Sequence, residues 1–268
     1  MSEFRPIEEQ VLLDTTREGV AVVTLNRPEV HNAFNAEVIE RLGDIFADLA
    51  KQEGVRVVLI EGAGKSFSSG ADIEWMRAAA DYTEKENYSD AAEMAEMFHR
   101  LRALPQPSIA MVQGAALGGG VGLVAAADIA IATLDAQFGL TEVRLGLVPA
   151  VISPYVIEAI GSRAARRYFL TGERFNGERA LELGLVHQLV PDKQGLSQSC
   201  EKFVDEILQC SPDAIARAKR LIDAARHGFP DHDMRVATAR FIAEARTSEE
   251  GKEGIAAFLA KRKPKWVG

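Results

Sequence analysis

The stretch from Gln113 to Val124, closed by Asp128, constrains this chain more than any other. It follows Ser108–Val112, a short apolar run that reads as a buried strand, and it leads into the Ala-rich apolar segment Val121–Ala127, which reads as a buried helix. Gly114, Gly118, Gly119, Gly120 and Gly122 lie between or within them. A strand, a glycine cluster and a helix in that order bring bare backbone N–H groups to the positive end of a helix dipole. That suits an anion, either a phosphate or an oxyanion that develops during a reaction. The span Ile109–Ala127 is uncharged and long enough to suggest a membrane helix. Its five glycines, its lack of a basic flank and the closing Asp128 count against that. Gly118, Gly120 and Gly122 also miss the spacing of a dinucleotide fingerprint. On glycine spacing alone, close packing of helix on strand and a functional turn remain equal readings.

A second turn of related character lies upstream. Val57–Glu61 is a β-branched strand pattern, Gly62–Ser69 a loop, and Gly70-Ala71-Asp72-Ile73 a turn in which Asp72 starts a helix. Two such turns in one domain can aim one N–H each at the same oxygen. This is oxyanion-hole geometry, in which each donor contributes roughly 2.7–4 kcal/mol to lowering a barrier.

Together, Ser66–Ile73 and Gln113–Gly120 resemble the two signatures of the crotonase (enoyl-CoA hydratase/isomerase) superfamily. The likeness runs from about Val11 to Trp266. It takes in Asn26-Arg27-Pro28 with Asn32-Ala33-Phe34-Asn35, Phe138–Glu142, Thr171–Arg174 and the tail Ala257–Arg262. The fold this implies is α/β, a spiral of β-β-α turns over residues 1–194, followed by a helical assembly region over 195–268. Members form trimers, often paired into hexamers. No separate cofactor is implied, since coenzyme A enters as part of the thioester substrate.

By motif match, the N–H groups of Ala71 and Gly119 are the oxyanion donors and Glu142 is the catalytic carboxylate. Both donor residues need to be small for the thioester to come close. An isolated glutamate after Thr141 also suits a helix N-terminus, but Phe138-Gly139 before it and Gly146–Pro149 after it favour catalysis. The same match places Arg27, Val30 and His31 at the entrance, and Ser69, Ala71, Asp72 and Ile73, with Gly118 and Gly119, along the substrate path. It carries Phe258 and Lys261 to a neighbouring subunit's CoA. Arg27 reads equally as a phosphate ligand or a solvated turn residue. Lys261-Arg262-Lys263 with Lys265 is the one dense basic run, and it also complements the negative end of a last helix.

The chain departs from the superfamily's hydratases at Gly122, where they usually carry a second glutamate. With one glutamate, either an isomerase shuttles a proton on Glu142 alone, or a hydratase acts on a substrate that supplies its own second carboxylate or fills the vacated volume. The segment Leu140–Tyr155, with Gly120–Leu123 and His31–Phe34, resembles bacterial methylglutaconyl-CoA hydratases of leucine and isovalerate breakdown. It also resembles the related hydratases of isohexenylglutaconyl-CoA in acyclic terpene breakdown. On that resemblance the expected substrate is 3-methylglutaconyl-CoA. Its free carboxylate would sit near the space at Gly122 and pair with Arg144, whose guanidinium fork suits a carboxylate; a surface ion pair is an equal reading for Arg144. A general enoyl-CoA hydratase, a double-bond isomerase and a catalytically silent CoA-ester or RNA binder are the alternatives.

Composition limits the rest. At 268 residues and 47% hydrophobic, the chain has ample material for one large domain. A formal charge of −8 disfavours nucleic-acid and anionic-membrane partners, and requires any CoA phosphate to find a local basic patch. Cys200 and Cys210 form no ligand pattern, and His31, His99, His187, His227 and His232 are scattered, so no metal site is expected. Met1–Gln10 holds Glu3, Glu8 and Glu9 and no apolar core, so a cytoplasmic protein is the default expectation.

Along the chain, strands are expected at Val11–Asp14 and Val20–Leu25. A helix capped by Asn35 should run from Ala36 to about Gln52, with others at Asp72–Ala80 and Glu84–Leu104. Strands Asp128–Ala132 and Gln137–Gly139 follow, then helices Gly161–Leu170 and Gly177–Leu183 with Gly184 as a stop. From Asp192 the pattern is helical: Leu196–Leu208, Pro212–Ala225, His232–Ala245 and Glu249–Lys261.

Overall fold

Successive strand residues face opposite ways, and here both faces are covered. In Val55–Gly62, Val58 and Ile60 join a core with Phe34, Phe46 and Phe98, while Val57 and Leu59 join a second core with Leu196, Cys200 and Val204. Ser108–Val112 divides the same way, with Ala110 and Val112 on the first face and Ile109 and Met111 on the second. Burial on both sides is why these strands read as unbroken apolar runs rather than alternating ones.

The computed structural model describes residues 7–228 and 233–267. Residues 1–6 of the leading segment, and His232, where the pattern starts a helix, lie outside the described residues. The strands are β1 (Val11–Asp14), β2 (Gly19–Leu25), β3 (Val55–Gly62), β4 (Ser108–Val112), β5 (Ala115–Leu117), β6 (Ile129–Thr133), β7 (Gln137–Gly139), β8 (Arg174–Asn176) and β9 (Gln188–Val190). A six-stranded sheet has the order β1-β2-β3-β4-β6-β9, parallel except for the β1/β2 pair. A smaller sheet has the order β5-β7-β8, and two single bridges, Ser68 to Ala116 and Phe34 to Ala71, continue it toward the N-terminus. Each circuit of the chain thus places one segment in each sheet: β2 then Phe34, β3 then Ser68–Ala71, β4 then β5, β6 then β7. This is the α/β spiral the resemblance implies.

The helices are α1 (Ile7–Gln10), α2 (Ala36–Leu49), α3 (Ile73–Ala79), α4 (Glu84–Ala103), α5 (Gly119–Ala126), α6 (Ser153–Thr171), α7 (Gly177–Leu183), α8 (Lys193–Gln209), α9 (Pro212–His227), α10 (Met234–Thr247) and α11 (Glu249–Leu259). Asn35 caps α2, its side chain accepting the Val38 N–H at 2.9 Å, and Asp72 caps α3 by accepting the Glu74 N–H at 2.8 Å. The sequence reading lacks α1, β8 and β9, and it differs in other details. The central helix begins at Gly119, two residues early, and β5 lies in what reads as loop. The α6 helix begins at Ser153 and breaks at Gly161, whose φ of 73° and ψ of 154° are open to glycine and strained for other residues.

The last four helices divide. The α8 helix buries Leu196, Cys200 and Val204 against the sheet, and burial pushes the Cys200 thiol up to about 12, so it is inert packing. Lys219 on α9 is anchored to Asp128 Oδ2 at 2.6 Å and to the Gln106 carbonyl at 3.0 Å. That carboxylate also accepts the Ser108 N–H, which ties α9 to the start of β4. By contrast, Ile222, Val236, Ile242, Ile255, Phe258 and Leu259 of α9–α11 are exposed. Among the described residues no helix is long and apolar enough to cross a membrane.

Candidate active site

The two glycine turns touch. Gly70 has a φ of 88°, and a Cβ there would lie 2.8 Å from the Leu117 carbonyl oxygen. Phe34 donates its N–H to Gly70 O at 2.7 Å and accepts the Asp72 N–H at 2.8 Å. Bonds on either side of Ala71 leave that residue's own N–H turned away from Phe34, as in any parallel bridge. Among the described residues it donates to no backbone carbonyl.

In the second turn, Gly118 has φ 49° and ψ −117° and donates to Gly139 O at 2.9 Å. Gly119 opens α5, so its N–H has no partner within the helix. Side chains are shut out of this turn on three sides. A Cβ at Gly118 would meet Glu142 Oε1 at 3.1 Å, one at Gly119 the Phe34 ring at 2.9 Å, and one at Gly120 the Ser68 carbonyl at 2.7 Å.

Glu142 is the first residue of a short 3-10 turn, Glu142–Leu145, closed by Gly146 in the left-handed region at φ 75°. Its Oε2 is buried without a hydrogen-bond partner. Burial raises its pKa above the ordinary carboxylate range, offset in part by a bond to its own backbone N–H. Ala71, Gly118, Gly119 and Glu142 share one cavity of about 380 Å³. Its outer wall is apolar, built from Met76, Met94, Leu145, Val148, Val151 and Ile152, and Glu142 is the one charged residue among the described lining. Two free N–H donors beside a desolvated carboxylate can hold a developing oxyanion while a proton is taken up or released.

A family model described as enoyl-CoA hydratase/isomerase matches residues 15–268. The chain belongs to the enoyl-CoA hydratase/isomerase family. An enoyl-CoA hydratase from Shewanella pealeana is similar in structure, with a TM-score of 0.92 at 42% identity over 96% of each chain. AtuE of Pseudomonas aeruginosa gives 0.92 at 39% over 97% of this chain and 100% of its own. A relative from Thermus thermophilus is 34% identical over 95% of this chain and 100% of its own length.

Within this family member, the residues singled out by sequence fall into three groups. Ala71, Gly118, Gly119, Glu142 and Ser69 line the cavity together. Arg27, Asp72, Val30 and His31 form the frame behind it. Arg27 Nη1 reaches Asp72 Oδ2 at 2.9 Å and the Ala33 carbonyl at 2.8 Å, so it is a mostly buried, ion-paired residue of this frame rather than a solvated turn residue. The Val30 and His31 carbonyls accept the Ser69 hydroxyl and N–H, and His31 Nδ1 lies 3.1 Å from Ser66 Oγ. Ile73, Phe258 and Lys261 are exposed.

Gly122 and Arg144 require correction. No volume is vacant at Gly122, because a Cβ there would lie 2.3 Å from Ile152 Cγ2 and 2.8 Å from Phe98 Cζ. Neighbouring apolar side chains have taken the room that a second carboxylate would need. Arg144 is exposed and lies against the Gly172–Glu173 turn, where Glu173 is paired chiefly with Arg167; Arg144 does not line the cavity. The residues that sequence reasoning passed over are Phe34 and Ile152. Both stand in quoted motifs, but only the packing shows what each one touches.

Proposed function

We propose that the protein hydrates the double bond of an enoyl-CoA thioester, with Glu142 as its single acid–base group. The thioester oxygen is held by the Ala71 and Gly119 N–H groups. Glu142 takes a proton from water as the water oxygen bonds to Cβ, and the double-bond electrons move onto the thioester oxygen as an enolate. The same carboxyl then returns the proton to Cα and is regenerated. A carboxylate with a raised pKa serves both halves, since it is a stronger base when ionised and is still able to release the proton. The observation that carries this reading is the buried, unpartnered Glu142 Oε2 in the cavity that both free N–H groups share.

The apolar wall and the filled position at Gly122 favour an uncharged, short or branched acyl chain. The Leu140–Tyr155 resemblance supports a second reading, 3-methylglutaconyl-CoA, in which the free carboxylate finds a cation outside the described lining. Assembly into trimers or paired trimers is supported by the exposed apolar residues of α9–α11. A neighbouring Lys261 and Phe258 would then supply CoA contacts in addition to any from Arg27, whose Nη1 is already held by Asp72.

Purified protein should be mixed with crotonyl-CoA and, in parallel, with 3-methylglutaconyl-CoA, following the enoyl-thioester absorbance and water incorporation. Faster hydration of crotonyl-CoA supports the uncharged chain, and hydration of the diacid alone supports the second reading. Double-bond migration without water uptake would overturn hydration and identify an isomerase.

A further inference from the structure

Phe34 touches both oxyanion turns at once. Its backbone brackets Ala71, donating to Gly70 O at 2.7 Å and accepting from Asp72 N at 2.8 Å. Its ring occupies the place where a Gly119 side chain would be, 2.9 Å from that missing Cβ through both Cδ2 and Cε2. It is fully buried, and it also lines the cavity. Ser68 also links the turns, its carbonyl accepting the Leu117 N–H and its Oγ the Gly70 N–H, but Phe34 is the residue that reaches the two donor positions, Ala71 and Gly119, themselves.

The frame behind Phe34 is rigid for stated reasons. Asn32, buried and in the left-handed region at φ 56°, donates to the Ala63 and Ser66 carbonyls at 2.9 and 2.8 Å, and its Oδ1 accepts the Arg27 N–H. The Arg27 guanidinium spans the Ala33 carbonyl and Asp72 Oδ2, the residues just before Phe34 and just after Ala71. A shift of Phe34 is therefore resisted by hydrogen bonds on both neighbours. The backbone bonds between the two turns end at Leu117, whose N–H donates to the Ser68 carbonyl at 2.9 Å; among the described residues Gly119 itself makes none to the first turn, so beyond Leu117 the placing of its N–H against Ala71 rests on the Phe34 ring.

We propose that Phe34 is a positioning residue that sets the distance between the Ala71 and Gly119 donors and so couples them into one oxyanion hole. This rests on the reading of those two N–H groups as the oxyanion donors. An oxyanion needs both donors at about 2.7–3.1 Å. A smaller side chain at Phe34 leaves the first turn bracketed but frees the second to move. The expected consequence is loss of transition-state stabilisation with little loss of ground-state binding, which appears in kcat rather than in KM.

The test compares Phe34→Leu with Phe46→Leu, an equally buried aromatic on α2 that lines no part of the cavity. Three quantities are read for wild type and both variants: kcat and KM with crotonyl-CoA, the melting temperature, and the near-ultraviolet enolate band of bound acetoacetyl-CoA, which reports directly on stabilised enolate. Phe34→Leu should lower kcat at least tenfold, leave KM within about threefold, and weaken the enolate band. Phe46→Leu should lower the melting temperature comparably while holding kcat and the band near wild type. If Phe34→Leu keeps kcat within twofold and retains the band, Phe34 is packing only and the proposal falls. If wild type itself shows neither turnover nor an enolate band, the oxyanion reading falls and takes the proposal with it.

Discussion

The two turns that build the cavity reach the same end by different means. The Ser68–Asp72 turn is held by polar bonds: Phe34 brackets it, and the Arg27–Asp72 pair ties it to the preceding loop. It can therefore carry an alanine at its donor position. The Gly118–Gly120 turn has a polar bond at its start, Gly118 N–H to the Gly139 carbonyl, but at its donor position it is fixed by close approach, with Glu142, Phe34 and the Ser68 carbonyl each pressed into space a Cβ would need. The first turn places its N–H by attraction and the second by close approach, so they should differ in what damages them.

The largest effect should follow Gly119→Ala. The new methyl meets the Phe34 ring, and displacing that N–H should lower kcat by roughly 10²–10³-fold, as loss of one oxyanion donor does elsewhere. Steady-state kinetics would show it, and near-normal kcat would mean the second turn is not held by close approach. Next comes Arg27→Met, which leaves Asp72 buried and unpaired. Its stability loss should fall near the low end of the ~3–5 kcal/mol typical of broken buried pairs, because both side chains keep slight solvent access. Denaturant titration measures this, and an unchanged midpoint would show that the first turn does not depend on its ion pair.

A smaller, pH-dependent effect belongs to Glu142. Its folded pKa is raised, so the folded protein holds this proton to higher pH than the unfolded chain does. Stability is therefore highest below the unfolded pKa and is lost as pH rises through the folded one. Glu142→Gln should melt higher than wild type at neutral pH and level with it in acid. A melting difference that does not change with pH would contradict the burial argument. The smallest effect should follow Ala71→Gly. No polar bond of the first turn is removed, so kcat should stay within a few fold of wild type.

Much of this was legible in sequence where the cause is local. Strand, glycines and helix in order announce the second turn, and Asn35 and Asp72 are caps because their short oxygens reach amides two or three residues on. Gly122 was not legible in the same way. Its meaning lies in Ile152 and Phe98, distant in the chain, which fill the volume that an absent side chain suggests is free. Arg27 likewise reads equally as a phosphate ligand or a solvated turn residue, because its partner Asp72, 45 positions on, is not visible from the local sequence. The three strands missed, β5, β8 and β9, are three-residue segments whose pairing is decided by distant parts of the chain rather than by their own pattern.

The central claim is that one buried carboxylate, beside two backbone donors, moves the proton in both directions. Glu142→Gln tests it most directly, with crotonyl-CoA turnover and CoA-ester affinity measured on the same preparation. The account predicts a loss of turnover in the ~10²–10⁴-fold range of general acid–base catalysis, with affinity kept within a few fold. Turnover within tenfold of wild type, at unchanged affinity, would show that another group moves the proton and would contradict it.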